Sequence, residues 1–159
     1  MSYIPFHIAC LDALQAAFEA GFNAELEELG QTAMPVTGFQ YRDPQLIAGE
    51  SLVVYYDHMA PGLVAKYWTD ALYIYAVHMI SVQPDARSLN RRLMLMEFAA
   101  RQVVSKNRNL GGLTRTVHSG DSIPWRTSQN KQGTVADSMF IPIVCQPDER
   151  IPNPERSLP

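Results

Sequence analysis

The stretch TDALYIYAVHMISV, Thr69 to Val82, constrains this chain more than any other. Its β-branched and aromatic content reads as a strand, and along a strand the side chains alternate between two faces. One face carries Leu72, Ile74, Ala76, His78, Ile80 and Val82; the other carries Ala71, Tyr73, Tyr75, Val77, Met79 and Ser81. An antiparallel sheet usually leaves one face to water. Here neither face is polar, so each should be covered, either by another element of this chain or by another subunit. The expectation is a subunit contact on the face of Tyr73, Tyr75, Val77 and Met79. On that expectation, Tyr75→Asp breaks assembly before it breaks folding.

The rest of the chain supplies few elements to do the covering. Ile8, Leu11, Leu14, Phe18, Phe22 and Leu29 recur at helical spacing and predict a first helix from about Ile4 to Leu29. Pro5 is tolerated at its start and Gly30 stops it. Glu25, Glu27 and Glu28 oppose the helix dipole and, with Gly21, predict a break or fray near Phe22. An irregular stretch from Gln31 to Gly49 follows, with a short extended piece at Thr37 to Tyr41, and then a strand at SLVVYY, Ser51 to Tyr56. A second helix is predicted from about Ser88 to Lys106, capped by Asp85 or Ser88. Its apolar stripe is Leu89, Leu93, Met96, Ala100 and Val103, with Arg91, Arg92 and Arg101 facing elsewhere. Leu113 to Arg126 reads as one strand and Ala136 to Gln146 as another, joined across the polar loop TSQNKQGT as a long hairpin. Pro142 puts the last strand at an edge or a bulge, because proline donates no ladder hydrogen bond. The expected fold is α+β: a mostly antiparallel sheet with the N-terminal helix and the second helix packed against it. The domain spans 1–147, and 148–159 form an extended, proline-rich C-terminal arm that should dock on a surface.

Composition narrows the chemistry. With 159 residues, 47% hydrophobic and 18% charged, the chain has the size and balance of one globular domain. A net charge of -3 and the lack of any Lys/Arg run argue against nucleic-acid binding. The opening MSYIPFHIACLDALQ has no basic region and is interrupted by Asp12, unlike a signal peptide, so synthesis in the cytosol is expected. Cys10 and Cys145, without CxxC spacing, read as free core thiols. The histidines are scattered. His7 sits in the first helix, and His58 beside Asp57 lacks a third metal ligand at useful spacing. His78 lies on an apolar strand face. His118, Ser119 and Asp121 have the composition of a triad, yet neighbours on a strand point to alternate faces and cannot form the relay among themselves. No phosphate loop, GxGxxG or GxSxG occurs. No catalytic, metal or cofactor site is therefore expected. Trp125 and Arg126, of residue types favoured at hot spots, are further interface candidates.

The order of elements is itself informative. A helix, paired strands, a helix running into Asn109-Leu110-Gly111-Gly112, a strand, a polar hairpin loop and a final strand from Ala136 together resemble the small neck proteins of tailed bacteriophages, in particular the tail-terminator (tail-completion) type. The resemblance covers roughly residues 4 to 147; the segment 31–49 and the tail after Pro147 have no counterpart in it. It implies a homohexameric ring in the virion, assembled in the host cytoplasm, that caps the tail tube and joins it to the connector. Phage DNA would pass through its lumen without specific binding. Such a ring needs two different contact surfaces per subunit. The alternatives are another neck or head-completion adaptor, a minor tail protein, or, in a different class, a small hydrolase or ligand-binding enzyme using His118 and Asp121 or His58.

Overall fold

Helix α1 spans Phe6–Glu28 and buries Cys10, Leu14, Phe18, Phe22 and Leu26, one residue per turn, so that a single stripe faces the core. The computed structural model describes residues 5–38, 49–60, 68–69, 71–125, 134–147 and 151–152. The expected break near Phe22 does not occur. Glu25 is buried, and Lys106 from the end of the second helix pairs with it, which offsets its repulsion by the helix dipole. The helix ends in a Schellman motif. Gly30 donates to Glu27 and Gln31 donates back to the Leu26 carbonyl, a geometry that needs the φ of +69° that glycine adopts at Gly30.

Six strands form one sheet. β1 (Val36–Gly38) runs parallel to β2 (Ser51–Ala60), and all other pairings in the sheet are antiparallel. After β3 (Trp68–Thr69), β4 (Leu72–Gln83) pairs β2 on one side. Asp85 then caps α2 (Ala86–Lys106): its Oδ1 accepts the Ser88 amide at 2.8 Å and its Oδ2 the Ser88 hydroxyl at 2.8 Å. A 310 turn at Leu110–Gly112 reverses the chain. β5 (Thr114–Ser119) and β6 (Ile123–Trp125) follow, and both pair the same edge of β7 (Val135–Pro147), whose other edge pairs β4. β8 (Ile151–Pro152) pairs β3 as a separate two-stranded ribbon. The fold is thus α+β, with an N-terminal helix and a mostly antiparallel sheet. Of the expected arm, Ile151 and Pro152 are engaged with β3, and the remainder lies outside the described residues.

Two expectations for the hairpin are corrected together. Leu113 to Arg126 is not one strand but two, and β7 with its proline is an interior strand. Of the edge or bulge expected at Pro142, it is the irregularity that occurs: Ser119 pairs Ile143 and Ile123 pairs Phe140, four steps against three. The reason lies at Gly120, between β5 and β6. Its amide donates to the Pro142 carbonyl at 2.7 Å. Within a strand, a residue's N–H and C=O point to the same side, so the donor that Pro142 lacks falls in the gap between β5 and β6. The approach is close: a Cβ added at Gly120 would lie 2.8 Å from Pro142 Cγ. Gly120→Ala is therefore expected to lower stability by about 1–3 kcal/mol through overpacking, read as a lower urea midpoint with an unchanged m-value.

Both helices pack on the face of β4 that carries Tyr73, Tyr75, Val77 and Met79. With Leu52, Val54, Ile141, Ile143 and Cys145 these side chains form one continuous core with α1 and α2. Cys10 and Cys145 meet inside it as free, wholly buried thiols.

Candidate assembly surface

The helices settle which sheet face is inside. Tyr75, Val77 and Met79 are fully buried and Tyr73 nearly so. The Tyr75 hydroxyl donates to the His7 carbonyl of α1 at 2.9 Å, and the rings of Phe6 and Tyr73 lie 4.9 Å apart. The expectation that these four residues meet another subunit is therefore corrected: they meet this chain's own helices. Period-two alternation identifies two faces but does not say which one the helices take when both are apolar. Of the other two expected contact residues, Trp125 ends β6, with its side chain outside the described part, and Arg126 lies outside the described residues.

The register assembles the opposite face residue by residue. Val53 stands across from His78, His78 from Phe140, and Phe140 from Ile123; Ile74 stands across from Val144, and Val144 from His118. Tyr55, Ala76 and Pro142 form a parallel row beside them. No helix of the described residues packs on this face, although Val53, Ala76 and His78 at its centre are buried. Ile74, Ile80, Phe140 and Val144 are half-buried, and Ile123 is 46% exposed. An apolar surface running across five strands with none of the described helices over it is unusual for a sheet with one wet side.

His78 sits at the centre of this face, only 4% exposed, and its Nε2 has no hydrogen-bond partner. Burial pushes its pKa below the ordinary 6.5. The unfolded ring binds a proton below 6.5 while the folded ring does not, so stability should fall as pH drops below 6.5. A urea midpoint lower at pH 5.5 than at pH 7.5, with His78→Leu flattening that slope, is the expected result. An unchanged slope in the variant would sink the assignment.

The chemical candidates do not converge. Ser119 Oγ accepts from Arg101 at 2.9 Å, and the pairing of β5 with β7 puts His118 and Ser119 on opposite faces. His118 has no hydrogen-bond or ionic partner among the described residues, so no Ser–His relay is assembled. His58 Nδ1 and Asp57 Oδ2 lie 2.5 Å apart at the β2 bulge, as an exposed local pair. Among the described residues no three His, Cys, Asp or Glu side chains are grouped to hold a metal ion, and no helix is long and apolar enough to cross a membrane. A cleft of about 480 Å3 opens between α2 and β5, lined in part by Arg101, Arg108, Arg115 and His118. Arg101 is already committed there, to Glu97, Ser119 and the Gly120 carbonyl.

The chain matches no known family model and no curated protein. One structural site escaped the sequence reading. Arg92, expected to face away from the core, is 5% exposed and donates through Nε and NH2 to the Glu50 carboxylate, both at 3.0 Å. Its signal in the sequence was only its place, next to Leu93 and one turn before Met96, on the helix stripe that faces the core.

Proposed function

We propose that this chain is a structural assembly subunit, of the tail-terminator type found in the necks of tailed bacteriophages. In this role it forms a ring that caps the tail tube and joins it to the connector. The observation that carries the reading is the second apolar face of the sheet, built on Ile74, Phe140 and Val144, on which neither α1 nor α2 packs. Val53, Ala76 and His78 at its centre are already buried, but Ile74, Phe140 and Val144 around them are only half-buried and Ile123 is exposed, apolar area that a neighbour placed on it would take out of water. The element order that resembles this family is retained in the fold, from α1 through the glycine turn after α2 to the β5–β7 hairpin. The small net charge suits a lumen through which DNA slides without sticking.

Light scattering after gel filtration, with the tail-tube protein as second component, tests the proposal. A ring that binds tube ends is expected, and Val144→Asp should release folded monomers, with binding lost by 100-fold or more for about 3 kcal/mol of interface energy. A strict monomer with and without tube protein overturns the reading. Rings that ignore the tube move the protein to another neck or adaptor position.

A further inference from the structure

β5 ends the order of the large sheet, so no described strand lies beyond its outer edge. The register says which of its backbone groups face outward. Gly120 donates to the Pro142 carbonyl, and along an antiparallel ladder hydrogen-bonded pairs alternate with non-bonded ones. His118 and Thr116 therefore turn their N–H and C=O groups to β7, and Val117 and Ser119 turn theirs away from it. Residues 115–119 in succession form one side of the cleft of about 480 Å3 against α2. The other side is a helical stripe, Arg101, Val104, Ser105 and Arg108, spaced three, one and three residues apart. Arg101 closes one end: its Nη1 donates to Ser119 Oγ at 2.9 Å and to the Gly120 carbonyl at 3.0 Å, which fixes the helix against the strand. Ser105, Arg108, Arg115 and Thr116 are exposed in the remainder, and no carboxylate is among the described lining residues.

We infer that this groove takes an extended acidic peptide of another protein, added to the β5 edge as a further strand with its carboxylates turned to α2. A free strand edge offers N–H and C=O groups in alternation, and an extended backbone matches both. A free anion would match only the donors and would meet the outward carbonyls as well. Side chains along the added strand alternate, so every second one points at the helix wall. There the guanidinium groups favour carboxylates, which arginine binds through paired hydrogen bonds. A basic peptide would instead set cation against Arg108 and Arg115. The contact stands on the edge of the sheet, not on its second apolar face, and holds whether or not the proposed ring forms.

Fluorescence anisotropy on the full chain tests this, with a labelled octapeptide of alternating glutamate and valine as probe. The probe should bind, and its lysine–valine counterpart should not. Arg108→Glu should weaken binding by about tenfold or more, with an unaltered circular dichroism spectrum because Arg108 is exposed. Two further probes carry N-methyl groups on all the glutamates or on all the valines. In an added strand the amides of one set face β5 and those of the other face away. One of these probes should therefore lose binding by about tenfold or more, and the other should keep it. A glutamate probe that does not bind, a lysine probe that binds as well, or binding that Arg108→Glu leaves unchanged overturns the inference. So do N-methyl probes that both bind or both fail. Displacement of the probe by sodium phosphate, but not by sodium chloride of equal ionic strength, also overturns it, since that would mark a site for free anions.

Discussion

Tyr75→Asp is expected to leave no cooperatively folded chain, not a folded chain that fails to assemble. Tyr75 is wholly enclosed, its ring set edge-on to Tyr56 at 5.5 Å and its hydroxyl donating to the His7 carbonyl. Burial holds the phenol's proton well above its ordinary range, a measure of how poorly this site tolerates charge. Truncating a buried aromatic costs about 3–5 kcal/mol in cavity and lost transfer energy. An unpaired buried carboxylate adds several more, and the sum rivals the roughly 5–15 kcal/mol that holds a whole domain together. Tyr75→Phe removes only the hydroxyl, with its bond to the His7 carbonyl and its contact with the Cys10 thiol, and should cost about 0.5–1.5 kcal/mol. Thermal denaturation followed by near-ultraviolet circular dichroism separates these outcomes. A Tyr75→Asp protein with a native spectrum and a sharp transition would return this face to the intersubunit role first expected of it.

The contrast with Val144→Asp shows what the sequence held and what it withheld. Local signals were legible. The Asp85 cap, the Gly30 stop and the one-per-turn apolar stripe of α1 each depend on residues within a turn or two of one another. That β4 has two apolar faces was legible for the same reason. Which face belongs to the chain was not, because the answer depends on where α1 and α2 cross the sheet, and no residue of β4 encodes that by itself. The edge alternative for Pro142 failed on similar grounds. Its missing donor normally marks an edge, but here it coincides with a break between β5 and β6 created by Gly120, a residue that reads as an ordinary loop glycine. Glu25 predicted a frayed helix because its partner Lys106 lies 81 residues away.

Arg92 is the extreme case, and its removal is the second large effect expected. Its guanidinium ties α2 to Glu50 at the start of β2, 42 positions away, and to the Thr32 carbonyl at 2.8 Å, 60 positions away. Glu50 in turn accepts from Ser81 at 2.8 Å, so four segments meet at one ion pair. Burial tends to raise the Glu50 pKa. The bidentate bond and charge of Arg92, with the hydrogen bonds from Ser81 and Gln83, outweigh that and hold the carboxyl below its ordinary 4.5. Arg92→Met deletes the cation and leaves the carboxylate facing an apolar side chain, for an expected loss of about 3 kcal/mol. That is the low end for a broken buried pair, because Glu50 keeps some contact with water. Adding Glu50→Leu should recover a large part of the loss, since an ion pair replaced whole by apolar groups costs far less than one cut in half. Arg92→Lys should not rescue, because an ammonium cannot span both carboxylate oxygens and reach Thr32 as well. The pair's stabilisation should be complete above pH 4.5 and decline as pH falls through the lowered folded value, a slope that Arg92→Met should weaken. A double-mutant cycle in urea reads all of this, and additive losses at Arg92 and Glu50 would show that the two do not act as one strut.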